Sequence, residues 1–443
     1  MAKKFAFIGA GSLGFTCNLA KDILTFPAFN DAEIYLMDIH EGRLGYVKQA
    51  VEKLVKKGGR SATVHATTDR KKALEGADGV LVTILQGGVD VWRHDIEIPK
   101  KYGVDINVGD TRGPAGVIRF LRTAPVMLDI IKDCEKYCPE AIVLNYTNPM
   151  AMLCGFLQRQ SRVNVTGLCH SVQGTAHMLA DWIGAPHNEI SYTCSGINHQ
   201  AFYTEFKWKG RDVYPLIYDK VKNDPKIAKA EPVRNEMFLQ LGFYVTESSG
   251  HNSEYLAWFR KRKDLIEKYC TDGTNWNPGE YAYILNEYLK ADATWENRFR
   301  HYLDKEDINL KRGEEYAAYI FNAVFGDNTP FMFNGNQLNI GIVNNLSPLA
   351  CVETPVMATG DGLKYIKMDP LPANLALLVN LSAGIEEMAV NAAIEGDPWK
   401  VFQANLFDPL SSAVLSMAEI REMTQEMLNK NAEYLSYFKS LTI

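Results

Sequence analysis

The sequence lacks several features that would point away from a soluble enzyme. No apolar run among its 443 residues reaches the roughly 18 residues that a membrane-spanning helix requires. None of its eight cysteines forms a C-x-x-C pair, and a chain of this length needs no disulfide framework. The net charge of −6 argues against nucleic acid and anionic membranes, because both select basic surfaces. A small molecule is therefore the predicted partner.

The N-terminus differs from a targeting segment. Two lysines precede its apolar stretch, as in a signal peptide, but that stretch is short and is interrupted by glycines at Gly9, Gly11 and Gly14. It fits a first strand followed by a turn, so we expect a cytoplasmic protein.

The pattern of the chain changes near residue 190. Before that point short apolar strands alternate with amphipathic helices, which predicts an α/β fold with a Rossmann-type doubly wound parallel sheet, like that of lactate and malate dehydrogenases. The predicted strands are Lys4–Ile8, Glu33–Met37, Thr63–His65, Gly79–Ile84, Ala141–Asn145 and Asn164–Leu168, and the predicted helices include Glu41–Lys57 and Arg119–Lys136.

Beyond residue 190 the pattern indicates a mixed α+β region. Predicted strands Ile190–Cys194 and Ala201–Trp208, with a turn at Lys209-Gly210, are followed by helices at Pro278–Lys290, Arg312–Val324, Pro372–Glu395 and from Met417 onward. We expect residues 1–190 to form an NAD-binding Rossmann domain. Residues 191–443 are expected to form a domain for substrate, metal and oligomerisation, with a cleft between the two.

A glycine motif predicts a nucleotide site. Residues 9–14, Gly-Ala-Gly-Ser-Leu-Gly, fit G-x-G-x-x-G between a strand and a helix, where Gly9, Gly11 and Gly14 permit close approach to a pyrophosphate. Asp38 ends the second strand, where a carboxylate accepts from a ribose 2′-hydroxyl and repels a 2′-phosphate, which favours NAD over NADP. A glycine turn without nucleotide is the alternative. We find no Asp-x-x-Arg with a well-placed His that a lactate-type dehydrogenase would need.

A cysteine and a histidine follow two predicted strands. Cys169 ends one strand, His199 ends another, and ligands bind at such edges of a sheet. A thiolate and an imidazole can hold a divalent ion and leave positions open for substrate. By spacing alone, a buried cysteine and a structural histidine explain the pair better than a metal site does.

Several longer segments carry a resemblance to glycoside hydrolase family 4. Their combination is specific, it covers nearly the whole chain, and within the family it is most similar to the α-galactosidase branch. The segments are Phe7–Ser12, Leu36–Ile39, Gly109–Thr111, Leu144–Met152, Gly167–Gly174, Gly196–His199, Val245–Tyr255, Asn345–Pro348 and Asp408-Pro409.

The resemblance implies an α-glycosidase that works through an oxidised sugar. NAD⁺ would take a hydride from C3, and the resulting ketone would acidify the proton on C2. A divalent metal, Mn²⁺ in most of the family, would act as a Lewis acid on the sugar oxygens. Loss of the C2 proton, expulsion of the leaving group, addition of water and return of the hydride would complete the turnover.

The resemblance also implies roles for individual residues. Cys169 and His199 would be metal ligands. Tyr255 would be the C2 base, and the alternative is an aromatic residue packed beside Trp258. Asp110 would tune that base or relay its proton, and the alternative is a residue that shapes a turn or caps a helix.

Two further residues are expected to meet the sugar. His170 would protonate the leaving oxygen or bind a sugar hydroxyl. Asn148 would bind sugar hydroxyls or shape the turn at Pro149, whose peptide bond can be cis.

The substrate is ranked by departures from the α-galactosidase pattern. Arg112 and Ala115 replace more usual residues. Any of Arg93, Arg112, Arg119 and Arg122 could face a C6 carboxylate, although for each one taken singly a pair with a surface acid is the favoured interpretation. We rank a neutral α-galactoside first and an α-hexuronide second. A 6-phospho-α-glucoside ranks third, because Trp92 stands where phospho-sugar members tend to place a basic residue.

Two other functional classes stay open at this stage. An NAD-dependent sugar dehydrogenase would release NADH with each turnover, and a non-catalytic NAD sensor would not need Cys169, His199 and Tyr255 together. A homodimer or homotetramer is expected.

Overall fold

The computed structural model describes residues 2–271 and 279–443, and its first half forms a parallel sheet. The six strands are ordered β3-β2-β1-β4-β5-β6, the doubly wound order of dinucleotide-binding domains. They are β1 (Lys4–Ile8), β2 (Glu33–Met37), β3 (Thr63–Thr67), β4 (Gly79–Val82), β5 (Ile142–Asn145) and β6 (Asn164–Gly167). The central strands β1, β4 and β5 are almost fully buried because helices cover both faces.

Helices connect these strands and cover the sheet. They are α1 (Leu13–Leu24), α2 (Glu41–Lys57), α3 (Arg70–Leu74), α4 (Gly88–Lys101), α5 (Gly113–Tyr137), α6 (Met150–Gln160) and α7 (Ser171–Ile183). Helix α5 begins six residues before the predicted Arg119, since the Gly113-Pro114 pair already starts a helix: proline at the first turn loses no hydrogen bond.

The second half extends the same sheet with antiparallel strands, in the order β10-β11-β7-β8-β9, and β10 pairs with β6. The strands are β7 (Ile190–Ile197), β8 (Gln200–Trp208), β9 (Arg211–Asp212), β10 (Phe331–Leu338), β11 (Cys351–Thr359) and β12 (Gly362–Tyr365). Strands β10, β11 and β12 were not predicted from the sequence. The turn at Lys209-Gly210 is confirmed, with positive φ at both residues.

The remaining helices surround this second half. They are α8 (Tyr214–Asn223), α9 (Pro225–Ala230), α10 (Pro232–Leu241), α11 (Ser249–Glu254), α12 (Lys263–Tyr269), α13 (Tyr283–Ala293), α14 (Trp295–Asp304), α15 (Tyr316–Phe325), α16 (Ala373–Glu395), α17 (Pro398–Phe407), α18 (Pro409–Val414) and α19 (Met417–Lys430). The predicted start at Pro278 lies outside the described residues. Helix α15 begins after the predicted Arg312, because the backbone N–H of Gly313 instead donates to Asp22.

Helix α16 is the one described helix whose length and composition would allow it to cross a membrane, but half of its apolar window is buried. It packs against α5, α6 and α17, as the core helix of a globular protein does. The division into residues 1–190 and 191–443 stays a prediction, since one sheet continues across it.

Candidate active site

The glycine loop lies at the carboxyl end of β1 and packs closely against its neighbours. Gly9 has a φ of +86°, and a Cβ there would stand 2.4 Å from the carbonyl oxygen of Thr83. The backbone N–H of Gly11 donates to Asp38 Oδ2 at 2.7 Å, and a Cβ on Gly11 would meet that same oxygen. A Cβ on Gly14 would have no described heavy atom within 4 Å, so open space lies beside it. The loop thus needs glycine at its first two positions for its own fold.

The two predicted metal ligands come together, and a third residue joins them. Cys169 Sγ lies 3.4 Å from His199 Nε2, and Glu247 Oε2 lies 3.3 Å from the same nitrogen. One ligand atom from each residue falls within 4.8 Å of the others, the only such group of three among the described residues. Sulfur, imidazole nitrogen and carboxylate oxygen together suit a divalent transition metal.

Sequence reasoning missed Glu247 as a candidate ligand, although its Thr-Glu-Ser-Ser segment contributed to the resemblance. Both Glu247 and His199 have left-handed backbones, with φ of 66° and 61°. Residues other than glycine adopt this conformation at a cost of about 1–3 kcal/mol, and such strain concentrates at functional sites. The strain therefore marks the same two residues that face Cys169.

The second nitrogen of His199 faces the predicted base. His199 Nδ1 lies 3.1 Å from the Tyr255 hydroxyl and 3.3 Å from Thr111 Oγ1. With Nε2 directed at the cluster, Nδ1 would carry the proton and donate it to one of these oxygens, which fixes the orientation of the ring. Tyr255 is 1% exposed, so its hydroxyl lies in the protein interior.

Asp110 lies in the same hydrogen-bonded group. Its Oδ1 accepts from Thr111 Oγ1 at 2.7 Å, and its Oδ2 accepts from the Asn148 side-chain amide at 3.2 Å. The Asn148-Pro149 peptide is cis, as the sequence allowed. Asn148 therefore orients Asp110 in this structure, and its predicted contact with sugar stays a prediction.

His251 connects the two parts of the site and was also missed. Its Nδ1 lies 3.2 Å from Glu247 Oε1 and 2.8 Å from the Ser248 hydroxyl, while its Nε2 lies 3.7 Å from Asp110 Oδ1. His251 lies in the first turn of α11, and Glu247 directly precedes Ser248, the residue that caps this helix.

His170 stands apart from this buried group. Its side chain is 61% exposed, and Nδ1 lies 3.7 Å from Glu315 Oε1. It lies at the start of α7 and is more exposed than the other predicted catalytic and metal-binding residues, which are buried or partly buried.

Burial dominates the electrostatics of the site. It lowers the pKa of His199 to about 4, so the imidazole is neutral and free to ligate at pH 7. Burial, followed by the charges of Glu353 and Glu247, raises the pKa of the Cys169 thiol well above its usual value. Burial raises the pKa of Glu247 too, but His199, His251 and His170 outweigh it, and the net shift is downward. A cation here would reverse the shift of the thiol, because a coordinated thiol deprotonates.

The protein surroundings also disfavour the phenolate form of Tyr255. Burial and the charge of Asp110 raise its pKa well above the usual value, against the opposing effect of Arg112, whose guanidinium lies 4.9 Å from the ring. Asp110 itself is ionised. Burial raises its pKa, but the charges of His251, Arg119 and His199 together outweigh burial, and the net pKa lies below the usual value. A base at Tyr255 therefore needs positive charge nearby.

Two of the four candidate arginines already have acidic partners. Arg122 binds Asp95 through two nitrogens at 3.1 and 2.6 Å, with both side chains fully buried. Arg112 Nε donates to Glu386 at 3.0 Å. Both arginines thus pair with acids, as the alternative interpretation expected, but the acids are buried rather than on the surface.

Arg119 is different. Its guanidinium stacks 4.6 Å from the Trp92 ring, and Nε donates to the Asn148 carbonyl at 3.3 Å. Its Nη1 makes no hydrogen bond within the described ranges.

Solved structures define the class of protein first. A putative glucosidase from Bacillus subtilis aligns with a TM-score of 0.85 at 26% identity, covering 96% of this chain and all of its own. A 6-phospho-alpha-glucosidase from gut microorganisms, solved with NAD and Mn²⁺, aligns with a TM-score of 0.82 at 18% identity, covering 98% of this chain and 99% of its own. A malate dehydrogenase from Cryptosporidium parvum aligns at 0.52 and 16% identity, over 89% of this chain and 100% of its own. The predicted fold class is confirmed.

The family follows from the sequence matches. The family 4 glycosyl hydrolase model matches residues 4–185, and the model of its C-terminal domain matches residues 194–411. An alpha-galactosidase of Rhizobium meliloti (strain 1021) is 36% identical over 98% of this chain and 89% of its own length. One of Bacillus subtilis (strain 168) is 36% identical over 99% and 100%. The chain belongs to the family 4 glycosyl hydrolases, so it is a glycosidase.

Proposed function

We propose that this glycosidase is an NAD- and divalent-metal-dependent α-galactosidase. One observation carries the chemistry. Cys169, His199 and Glu247 form a group that can hold a metal ion, and His199 also contacts the hydroxyl of Tyr255 through its other ring nitrogen. The 36% identity to two alpha-galactosidases over nearly the full chain supports the choice of sugar, since alpha-galacturonidases match at 27–28%. The buried pairs of Arg112 and Arg122 also leave them unsuited to a C6 carboxylate.

The residues present fit both cofactors. Gly9 and Gly11 bring bare backbone to the N-terminus of α1, where a pyrophosphate binds, and Asp38 stands where a ribose hydroxyl would donate. Two acids, Cys169 and Glu247, and a neutral imidazole face one point without a basic side chain in the ligand group. That donor set fits Mn²⁺ or another divalent cation.

Contacts connect the two cofactor sites. Gly9 touches Thr83 after β4, and the next residue, Ile84, donates its backbone N–H to Thr147 at 2.9 Å. Asn148 follows Thr147 and bonds to Asp110 beside the metal ligands. The cofactors would thus flank one sugar ring.

The chain's own residues would then move the protons. When bound, NAD⁺ accepts and returns a hydride at C3 of the sugar, and the cation withdraws electrons from the sugar oxygens. Tyr255 removes the proton from C2, and the donated hydrogen bond from His199 Nδ1 stabilises its phenolate. Asp110, held by Thr111 and Asn148, fixes the surroundings of that base. His170, whose side chain is exposed, protonates the departing oxygen.

A panel of substrates tests the proposal. Nitrophenyl α-galactoside, α-glucoside, α-glucuronide, α-galacturonide and 6-phospho-α-glucoside are incubated with NAD⁺, Mn²⁺ and a thiol reductant. We expect the α-galactoside to be cleaved fastest, without net formation of NADH, and solvent deuterium to enter C2 of the released sugar. Accumulation of NADH would instead indicate a dehydrogenase. Cleavage with no deuterium at C2, in reactions stopped at partial conversion, would contradict the elimination route.

A further inference from the structure

A row of four residues crosses the sheet from β6 to β7, the two strands that lead to Cys169 and His199. The pairing register joins Gly167 of β6 to Asn336 of β10, Asn336 to Glu353 of β11, and Glu353 to Gly196 of β7. Cys169 lies two residues beyond one end of this row. Neighbouring residues in such a row project to the same face of the sheet.

The glycines at both ends of the row leave no room for side chains. A Cβ on Gly167 would lie 2.4 Å from Met150 Sδ and 3.0 Å from Asn336 Cβ. A Cβ on Gly196 would lie 2.5 Å from the backbone oxygen of Gln200. The side chains between the two strand ends are therefore those of Asn336 and Glu353.

Glu353 is a completely buried acid with an unusual environment. Its exposure is 0%, and neither carboxyl oxygen makes a hydrogen bond of regular geometry within the described part of the chain. The amides of Asn198 and Asn336 nevertheless stand close enough to oppose burial, which raises the pKa of Glu353 to about 8. An ionised carboxyl group in such a position destabilises the fold unless positive charge compensates it.

Among the described residues, no positively charged side chain forms a hydrogen bond with Glu353. Glu247 raises its pKa, and Glu353 in turn raises the pKa of the Cys169 thiol. Arg112 lowers the pKa of Glu353, but its guanidinium is already paired with Glu386. The ligand atoms of Cys169 and Glu247 face His199 Nε2, and Glu353 adds a third acidic group in the row between the strands that lead to Cys169 and His199.

We propose that Glu353 is an outer-sphere carboxylate of the metal centre, a positioning residue that balances the cation's charge and supports the Asn198-His199 turn. This inference rests on the metal site of the proposed function. Asn198, which faces Glu353, also anchors Arg112 through its carbonyl at 2.5 Å and directly precedes the left-handed His199. Outer-shell partners of this kind commonly change metal affinity by about 10–100-fold.

The test measures Mn²⁺ affinity directly, from the loss of the electron paramagnetic resonance signal of free Mn²⁺. Purified native protein is compared with Glu353→Gln, Glu353→Asp and the matched control Thr354→Val, whose side chain lies on the opposite face of the same strand. NAD⁺ affinity, from quenching of tryptophan fluorescence, and the unfolding temperature are measured in parallel to establish folding.

We expect Glu353→Gln to bind Mn²⁺ at least about tenfold more weakly, with NAD⁺ affinity and unfolding temperature of the metal-free protein kept. Glu353→Asp, which retains the charge, should bind more tightly than Glu353→Gln, and Thr354→Val should match the native protein. Equal Mn²⁺ affinity in Glu353→Gln and native protein, or in the Gln and Asp variants, would overturn the inference. Failure of the native protein itself to bind Mn²⁺ would instead contradict the proposed function.

Discussion

The glycine loop and the ligand group lie along one sheet but are built in different ways. The glycine loop is contiguous: residues 9–14 follow β1, and Asp38 follows the neighbouring parallel strand β2. Most of the loop's contacts are to backbone atoms. The ligand group takes one residue from each of three separate segments, at Cys169, His199 and Glu247, two of them with strained backbones. A local motif can be recognised by its spacing, whereas a dispersed group needs the fold to assemble it.

The two regions also differ in what they bury. The strands beside the loop bury mainly apolar side chains, whereas β11, in the row between the strands that lead to the ligand group, buries the carboxyl group of Glu353. Apolar burial stabilises the fold, while a buried acid opposes it unless charge or hydrogen bonds compensate. The ligand region should therefore respond to charge and pH, and the loop region to shape.

The largest effect should come from Cys169→Ser. Replacing the sulfur ligand by a neutral hydroxyl should lower kcat/KM by about a thousand-fold, on the order of 4 kcal/mol, because one of three ligands is lost. NAD⁺ affinity should stay within about twofold of native. Mn²⁺ titration and steady-state kinetics on the nitrophenyl α-galactoside measure both.

Cys138→Ser provides the control for that variant, since Cys138 is buried at the end of α5, away from the ligand group. It should keep Mn²⁺ affinity and activity. Full activity in Cys169→Ser would remove Cys169 from the site and would break the contrast between the two regions.

A smaller effect is expected from the buried acid Asp408, which caps α18 by accepting from Ser411. Burial raises its pKa from 3.8 to about 6, so the native fold holds this proton more tightly than the unfolded chain. Its contribution to stability is present below pH 4 and is lost as the pH rises to about 6. Relative to Asp408→Asn, native protein should lose up to about 3 kcal/mol of unfolding free energy over that range.

Urea denaturation at pH 4, 5, 6 and 7 measures this difference. Asp397→Asn, at the partly exposed cap of α17, serves as the matched variant, because it removes a helix-capping carboxylate without removing a buried one. If the Asp408→Asn difference does not change with pH, burial does not oppose this carboxyl as the structure implies.

The smallest effect concerns the loop itself. A Cβ at Gly11 would stand 2.7 Å from Asp38 Oδ2 and displace the carboxylate that awaits the ribose, so Gly11→Ala should weaken NAD⁺ binding about tenfold. Gly45→Ala, on α2 with no described atom within 4 Å of its added methyl, should bind NAD⁺ as native protein does. Mn²⁺ affinity should be unchanged in both variants. A loss of Mn²⁺ affinity in Gly11→Ala alone would show that the two regions are coupled.

Much of the first half could be predicted from the sequence, because parallel strands are short apolar runs with local signals at their ends. Strands β1 and β2 match their predicted bounds, and the glycine loop lies where the motif placed it. The predicted ligands Cys169 and His199 are brought together, although their roles and that of Tyr255 stay predictions. Glu247 and His251 were missed, since nothing in their sequence neighbourhood says which strand end they will face.

The sequence by itself determined the class of this protein: its apolar periodicity, glycine spacing and family segments depend on neighbours along the chain. Only the tertiary structure decided what completes the site, by inserting β10 and β11 between the strands that lead to Cys169 and His199. The partners of a buried acid such as Glu353 come from strands far apart in sequence, and the free energy of burying its charge depends on those partners.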